Sequence, residues 1–288
     1  MKAENPLQKL CQEQQVQLLE GNYSRPQAGG STHYYHFRPH SPITGSVLFA
    51  HGAGNDGLFP QTSLFALLLE AGFEVFTFDI DGHGRKSSTL FDTENIHSCI
   101  AQAFNEFTHH CSHPRKFFIG YSLGACLMFS FLNKHMIPIE SFAFISMPIR
   151  LRPSLVHYWQ EIMFLQSPSL WKEFKHWGSQ LLNFGPSRRD IYPFRMLSSL
   201  DRENVYGYMA QVINDCMVGM NFEAAEKRKR LAGLFFYGKM DSFYTPLPDE
   251  IRGGAELSFA SQETHYTLVL SNLVHTKILT LFQGVSSQ

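Results

Sequence analysis

Between residues 46 and 150 the chain alternates four times between a short apolar run and a longer helical one. The short runs are Ser46–Ala50, Glu74–Asp79, Lys116–Ile119 and Glu140–Ile145. None has the in–out alternation of a strand with one wet face, so they read as strands buried on both sides. Between them lie an apolar stretch stopped by Gly72, a stripe from Asp92 to Phe107 (Ile96, Cys99, Ile100, Ala103, Phe104, Phe107), and the run Ala125–Leu132. Strands separated by crossover helices pair in parallel, which predicts a mostly parallel sheet with helices on both faces.

The rhythm is framed and then broken. Val16–Leu19 and His33–Phe37 read as two opening strands around a turn at Gly29–Gly30. Residues 150–230 hold no strand pattern but are rich in aromatic residues and methionine, among them Trp159, Trp171, Trp177, Tyr206, Tyr208 and Met209. Strands resume at Leu231–Tyr237 and Ala255–Phe259, and a helix closes the chain over Tyr266–Phe282. The expected organisation is a core of residues 1–149 and 231–288, interrupted after the sixth strand by a helical cap over 150–230.

Within this rhythm, Gly120-Tyr121-Ser122-Leu123-Gly124 sits at a strand-to-helix turn. A serine at such a turn can be held in a strained conformation with its hydroxyl exposed, while glycines on either side let the backbones pass closely. The helix that begins behind it offers unpaired N–H groups to a developing negative charge.

A serine hydroxyl is a poor nucleophile near neutral pH. It needs a base to take its proton and an acid to orient the base. With this architecture the chain order should be serine, acid, histidine, the last two on loops after later strands. Asp241 follows the strand ending at Tyr237, and His265 follows the strand ending at Phe259. Asp249, in a proline-rich loop, is the rival acid. Two main-chain donors for a tetrahedral oxyanion are expected at Leu123, after the serine, and at Ala53, after the strand Ser46–Ala50.

The loop holding Ala53 admits another reading. Gly52, Gly54 and Gly57 satisfy G-x-G-x-x-G after a strand, and Asp79 ends the next strand 22 residues on. That pattern belongs to dinucleotide-binding oxidoreductases. Two strands precede it, however, and the helix begins beyond Phe59-Pro60, too late for its N–H groups to cradle a pyrophosphate.

Composition excludes several other classes. A formal net charge of −1 over 288 residues gives no electrostatic case for nucleic acid or an anionic membrane. Lys227–Arg230 reads as a solvated basic helix end. Five scattered cysteines without C-x-x-C indicate reduced thiols and, with no signal-like apolar run at the start, a cytoplasmic location. Fourteen histidines lack metal-binding spacing, so most read as surface residues and no metal or cofactor is expected. Phe117–Asn133 is the longest uncharged run and is too short to span a bilayer, so no stable membrane insertion is expected.

Taken together, His51-Gly52-Ala53-Gly54, the turn Phe78–Arg85, Gly120–Gly124, Gly238-x-x-Asp241 and His265 resemble the α/β-hydrolase-fold serine esterases of the monoacylglycerol lipase and lysophospholipase type. The resemblance implies Ser122 as nucleophile, Asp241 as acid, His265 as base, and Ala53 and Leu123 as oxyanion donors. It implies an ester of a small or medium hydrophobic acyl group as substrate, with a thioesterase, an acyltransferase or a non-catalytic binding protein on the same scaffold as alternatives. Tyr121 stands where the family commonly has histidine, and Lys86 intervenes before Ser87. Tyr121 and Met147, the latter just past a strand end, are the expected pocket residues. Asp79 and His83 read as structural turn residues.

Overall fold

The computed structural model describes residues 6–13, 15–58, 61–150, 195–197, 199–200, 204–219, 221–241 and 243–284. Eight strands form one sheet: β1 (Val16–Arg25), β2 (Gly30–Pro39), β3 (Gly45–Ala50), β4 (Phe73–Phe78), β5 (Lys116–Tyr121), β6 (Ser141–Ile145), β7 (Ala232–Gly238) and β8 (Glu256–Ala260). Their order is β1-β2-β4-β3-β5-β6-β7-β8. The hairpin β1–β2 is antiparallel, and β2 meets β4 antiparallel, whereas the six remaining strands run in parallel. The mostly parallel sheet expected from the strand–helix rhythm is the one observed.

The continuous apolar runs are explained by two cores, one on each face. Along β3, Leu48 and Ala50 enter one cluster while Val47 and Phe49 enter the other. Along β6, Phe142 and Phe144 alternate with Ala143 and Ile145 in the same way. One face is covered by α3 (Cys99–His110) and α4 (Leu123–Lys134), the other by α1 (Pro6–Gln12), α2 (Thr62–Glu70) and the closing helix Asn272–Gly284. Burying each Phe of this sheet is worth about 1.5–3 kcal/mol relative to leaving it in water. The rings also interlock, as where Phe49 meets Phe65 edge-on with centroids 5.1 Å apart.

Two expectations need amending here. The latter part of the supposed cap, helices α5 (Val205–Cys216) and α6 (Phe222–Arg230), packs against α4. Met209, Val212, Ile213 and Cys216 join the core cluster that contains Phe104 and Cys126. Helices α5 and α6 thus add to the helical layer beside α4, and Trp159, Trp171 and Trp177 lie outside the described residues. The basic run Lys227–Arg230 is not wholly solvated either. Arg228 is buried over the Phe129 ring and donates to Asn133 Oδ1 at 2.9 Å. It faces inward because the residue one turn before it, Ala224, is buried too.

Candidate active site

Strand β5 delivers Ser122 at the carboxyl edge of the sheet, where the chain reverses into α4. Ser122 is one of two non-glycine residues with positive φ among those described, at φ 49° and ψ −114°. Such a conformation costs on the order of 1–3 kcal/mol and persists only where its surroundings impose it. Here the Ser122 N–H donates to the Ile145 carbonyl at 2.9 Å, and the Gly124 N–H to the His51 carbonyl at 3.1 Å. The flanking glycines are steric necessities. A Cβ on Gly120 would strike the backbone of Ala125, and one on Gly124 the carbonyl oxygens of Ala50 and His51.

The other two candidates arrive from β7 and β8. The Ser122 hydroxyl lies 2.8 Å from His265 Nε2, and His265 Nδ1 lies 3.1 and 3.3 Å from the two carboxylate oxygens of Asp241. Three side chains up to 143 residues apart in sequence therefore form one hydrogen-bonded line. Asp241 and His265 are buried, while Ser122 keeps partial access to solvent. Burial alone would push the Asp241 carboxyl up. His265, the Phe243 N–H at 2.9 Å and the Ser146 hydroxyl more than offset it and hold the carboxyl below its ordinary range. Asp249 is no competitor, since its side chain is 87% exposed and pairs with Arg252.

The expected oxyanion donors lie on the two segments that the Gly124–His51 bond ties together. Ala53 is exposed within the turn Gly52–Asn55, closed by the Asn55 N–H on the Gly52 carbonyl at 3.2 Å, with Gly54 at φ 76°. Leu123 opens α4. Among the described residues neither N–H has a protein acceptor.

Beneath this loop the imidazoles of His51 and His83 meet edge-on at 5.2 Å. His51 Nε2 accepts the Ile80 N–H and its Nδ1 faces the Gly52 carbonyl, which fixes the neutral tautomer. Burial pulls His51 down to about 4 and His83 to about 3. Both are neutral supports for the turn. They are not surface residues, and neither are His33, His36, His265 and His275, all of them buried.

The two expected pocket residues are placed differently. Tyr121 is buried, its ring lies against Gly52, and its hydroxyl donates to the His265 carbonyl at 3.1 Å. Met147 is packed in the core cluster with Cys126 and Tyr237, and its carbonyl accepts the Tyr237 hydroxyl at 2.8 Å. Both are buried, Tyr121 as the last residue of β5 and Met147 two residues past β6. Sequence reasoning missed Ser146, the second non-glycine residue with positive φ (50°), and Phe243, whose ring meets His265 edge-on at 4.8 Å. No motif marks either one.

Cofactor and metal chemistry find little purchase. Helix α2 starts at Thr62, so Gly52–Gly57 does not form a helix N-terminus. Asp79 is buried, and its two carboxylate oxygens are turned onto the Gly57 N–H at 3.0 Å and the Ser87 hydroxyl at 2.8 Å rather than onto an open crevice. Among the described residues one trio carries metal-type donors, His36, Glu74 and Cys111, at the opposite edge of the sheet. Its members are already hydrogen-bonded to one another and to the sheet: His36 Nε2 is 2.9 Å from Glu74, which also accepts the Ser46 hydroxyl at 2.5 Å. Arg38 and Lys116 already supply positive charge there.

Comparison with known proteins speaks to the family and the fold. The family model "Serine aminopeptidase, S33" matches residues 41–250. Comparison with curated protein sequences gives no match. Among solved structures, a lipase in an open form superposes with a TM-score of 0.62 at 15% identity, covering 94% of this chain and 100% of the lipase. The thioesterase domain from the curacin biosynthetic pathway gives 0.61 at 19% identity, over 93% and 99%. A carboxylesterase of the thaumarchaeon Nitrososphaera gargenis gives 0.59 at 14%, over 92% and 99%. At such identities these neighbours speak to the fold, and the family match covers most of the chain. The chain belongs to the serine aminopeptidase, S33 family of α/β hydrolases.

Proposed function

We propose that this hydrolase cleaves carboxylic esters of small or medium hydrophobic acyl groups, with Ser122 as nucleophile, His265 as base and Asp241 as orienting acid. One observation carries the reading: hydroxyl, imidazole and carboxylate are joined end to end at 2.8 and 3.1 Å, with the serine end open to solvent. In that arrangement Ser122 Oγ attacks the acyl carbonyl carbon and its proton passes to His265 Nε2. The new oxyanion takes the N–H groups of Ala53 and Leu123, donors worth about 2.7–4 kcal/mol each in comparable sites. His265 then returns the proton to the departing alcohol, leaving an acyl group on Ser122. Water, deprotonated by His265, releases the acid and restores the serine.

The test is active-site labelling followed by a substrate series. A fluorophosphonate probe is expected to modify Ser122, read by peptide mapping, and Ser122→Ala to abolish both labelling and turnover of p-nitrophenyl esters, by about a millionfold in kcat. A series of increasing acyl length, with one thioester arm, reads the substrate range. Wild-type protein that neither labels at Ser122 nor turns over any member would exclude catalysis and leave a binding role.

A further inference from the structure

Behind His265 stand two hydroxyls that the reaction as described does not use. Tyr121 Oη donates to the His265 main-chain carbonyl at 3.1 Å. Ser146 Oγ lies 3.4 Å from the same carbonyl and also reaches the Asp241 carboxylate, whose proton affinity it helps to lower. A serine hydroxyl has one hydrogen and serves one acceptor at a time. The carbonyl oxygen has two lone pairs, but the nearer Tyr121 hydroxyl already holds it at 3.1 Å and the carboxylate is the charged acceptor, so the Ser146 hydrogen favours the carboxylate.

Ser146 reaches this position because it follows β6 at φ 50°, its N–H held by the Phe236 carbonyl at 2.8 Å. The two non-glycine residues with positive φ among the described ones are thus Ser122 and Ser146, at the ends of adjacent strands in the same site. Tyr121 has a second contact: a Cβ on Gly52 would lie 2.8 Å from its ring, which therefore carries the turn holding Ala53.

We infer that Tyr121 and Ser146 are coupled positioning residues of the acid–base pair, Tyr121 clamping the His265 backbone so that the Ser146 hydroxyl stays on Asp241. The inference rests on the Ser122–His265–Asp241 reading. Losing the Ser146 donor concentrates charge on Asp241, which then holds a protonated His265 more tightly. Losing the Tyr121 hydroxyl has the same effect indirectly, because the carbonyl left without its nearer donor draws the Ser146 hydrogen away from Asp241.

The experiment is the pH dependence of the second-order rate of fluorophosphonate inactivation, which needs a neutral His265 but no knowledge of the substrate. Ser146→Gly removes the hydroxyl and suits the backbone angle, so the fold is kept, as thermal unfolding will check. Its acid limb is expected to move to higher pH by about half a unit, with a plateau rate about three- to tenfold lower. Tyr121→Phe is expected to shift the limb likewise in the wild-type background and not at all in the Ser146→Gly background. Equal, additive shifts in both backgrounds would overturn the coupling, and unshifted limbs would overturn the positioning role, each with the parent reading intact. A wild-type protein with no Ser122-dependent inactivation would overturn both.

Discussion

Gly124 donates its N–H to the carbonyl oxygen of His51 at 3.1 Å, and that bond fixes the start of α4 against the loop that carries Ala53. The helix behind Ser122 and the expected oxyanion loop are therefore tied together at a point where no side chain fits. Gly124→Ala forces a methyl group onto the carbonyls of Ala50 and His51. Overpacking of this kind costs about 1–3 kcal/mol. In a chain of this size each kcal/mol lowers Tm by about 2–4 °C. Circular dichroism is expected to record that drop, and fluorophosphonate labelling of Ser122 to slow with it. Normal labelling in a destabilised variant would mean that the two segments are positioned independently.

The choice between the two acids can be made kinetically. Asp241 is buried against His265, whereas Asp249 is exposed beside Arg252. Asp241→Asn is expected to lower kcat by about ten-thousandfold by leaving the imidazole in the wrong tautomer. Asp249→Asn is expected to leave kcat and KM at wild-type values. Ester hydrolysis assays on the two variants decide it, and the reverse result would move the acid to the later loop.

A third expectation concerns pH and stability. Burial pushes the Asp79 carboxyl up to about 7, and the neighbouring Asp56 adds to the rise. The folded protein therefore holds a proton there that the unfolded chain, with an ordinary carboxyl near 3.8, has lost. The sign follows from linkage: between about pH 4 and pH 7 the folded state binds more protons, so the Asp79 contribution falls as pH rises and is flat above 7. Asp79→Asn imitates the protonated form and can still accept the Gly57 N–H. Thermal melts are expected to show the variant gaining on the wild type by a few kcal/mol, on the order of 1.4 per pKa unit, between pH 5 and 8. A difference that does not change with pH would place the proton elsewhere.

The sheet and the meeting of Ser122, His265 and Asp241 were legible in the sequence for physical reasons. Strands buried on both faces must be apolar throughout, and Ser122, Asp241 and His265 each stand just past such a strand. What was not legible is what a linear pattern does not encode. Tyr121 looked like a pocket residue because its position follows from a motif, whereas its hydroxyl's partner is a carbonyl on another loop. Arg228 looked solvated because three basic neighbours surround it in sequence, yet the helix turns it inward. Helices α5 and α6 lacked any strand rhythm and were read with the insertion before them, although the apolar residues of α5 join the core and Arg228 of α6 packs over Phe129. Ser146 carries no signal at all, since its role arises from a backbone angle.

Arg25 and Asp81 supply the last expectation. They pair at 1% side-chain exposure each, and Arg25 reaches further to Ser98 and Gln102, so the β1–β2 hairpin is fastened to the Asp81–Gly84 turn and to the start of α3. Burial would lower the Arg25 pKa, but Asp81 more than compensates and raises it. Breaking such a pair from one side leaves a charge in the interior, at a cost of about 3–5 kcal/mol. Arg25→Met is expected to show that loss at pH 8. At pH 5 the loss should be smaller, because burial already raises the Asp81 carboxyl and an unpaired Asp81 can take up a proton instead of staying charged. Arg25→Met combined with Asp81→Leu removes both charges and is expected to recover most of the stability at pH 8. Chemical denaturation at the two pH values measures all three variants, and a double variant no better than the single one would show that the hairpin is held by the Ser98 and Gln102 bonds and not by the ion pair.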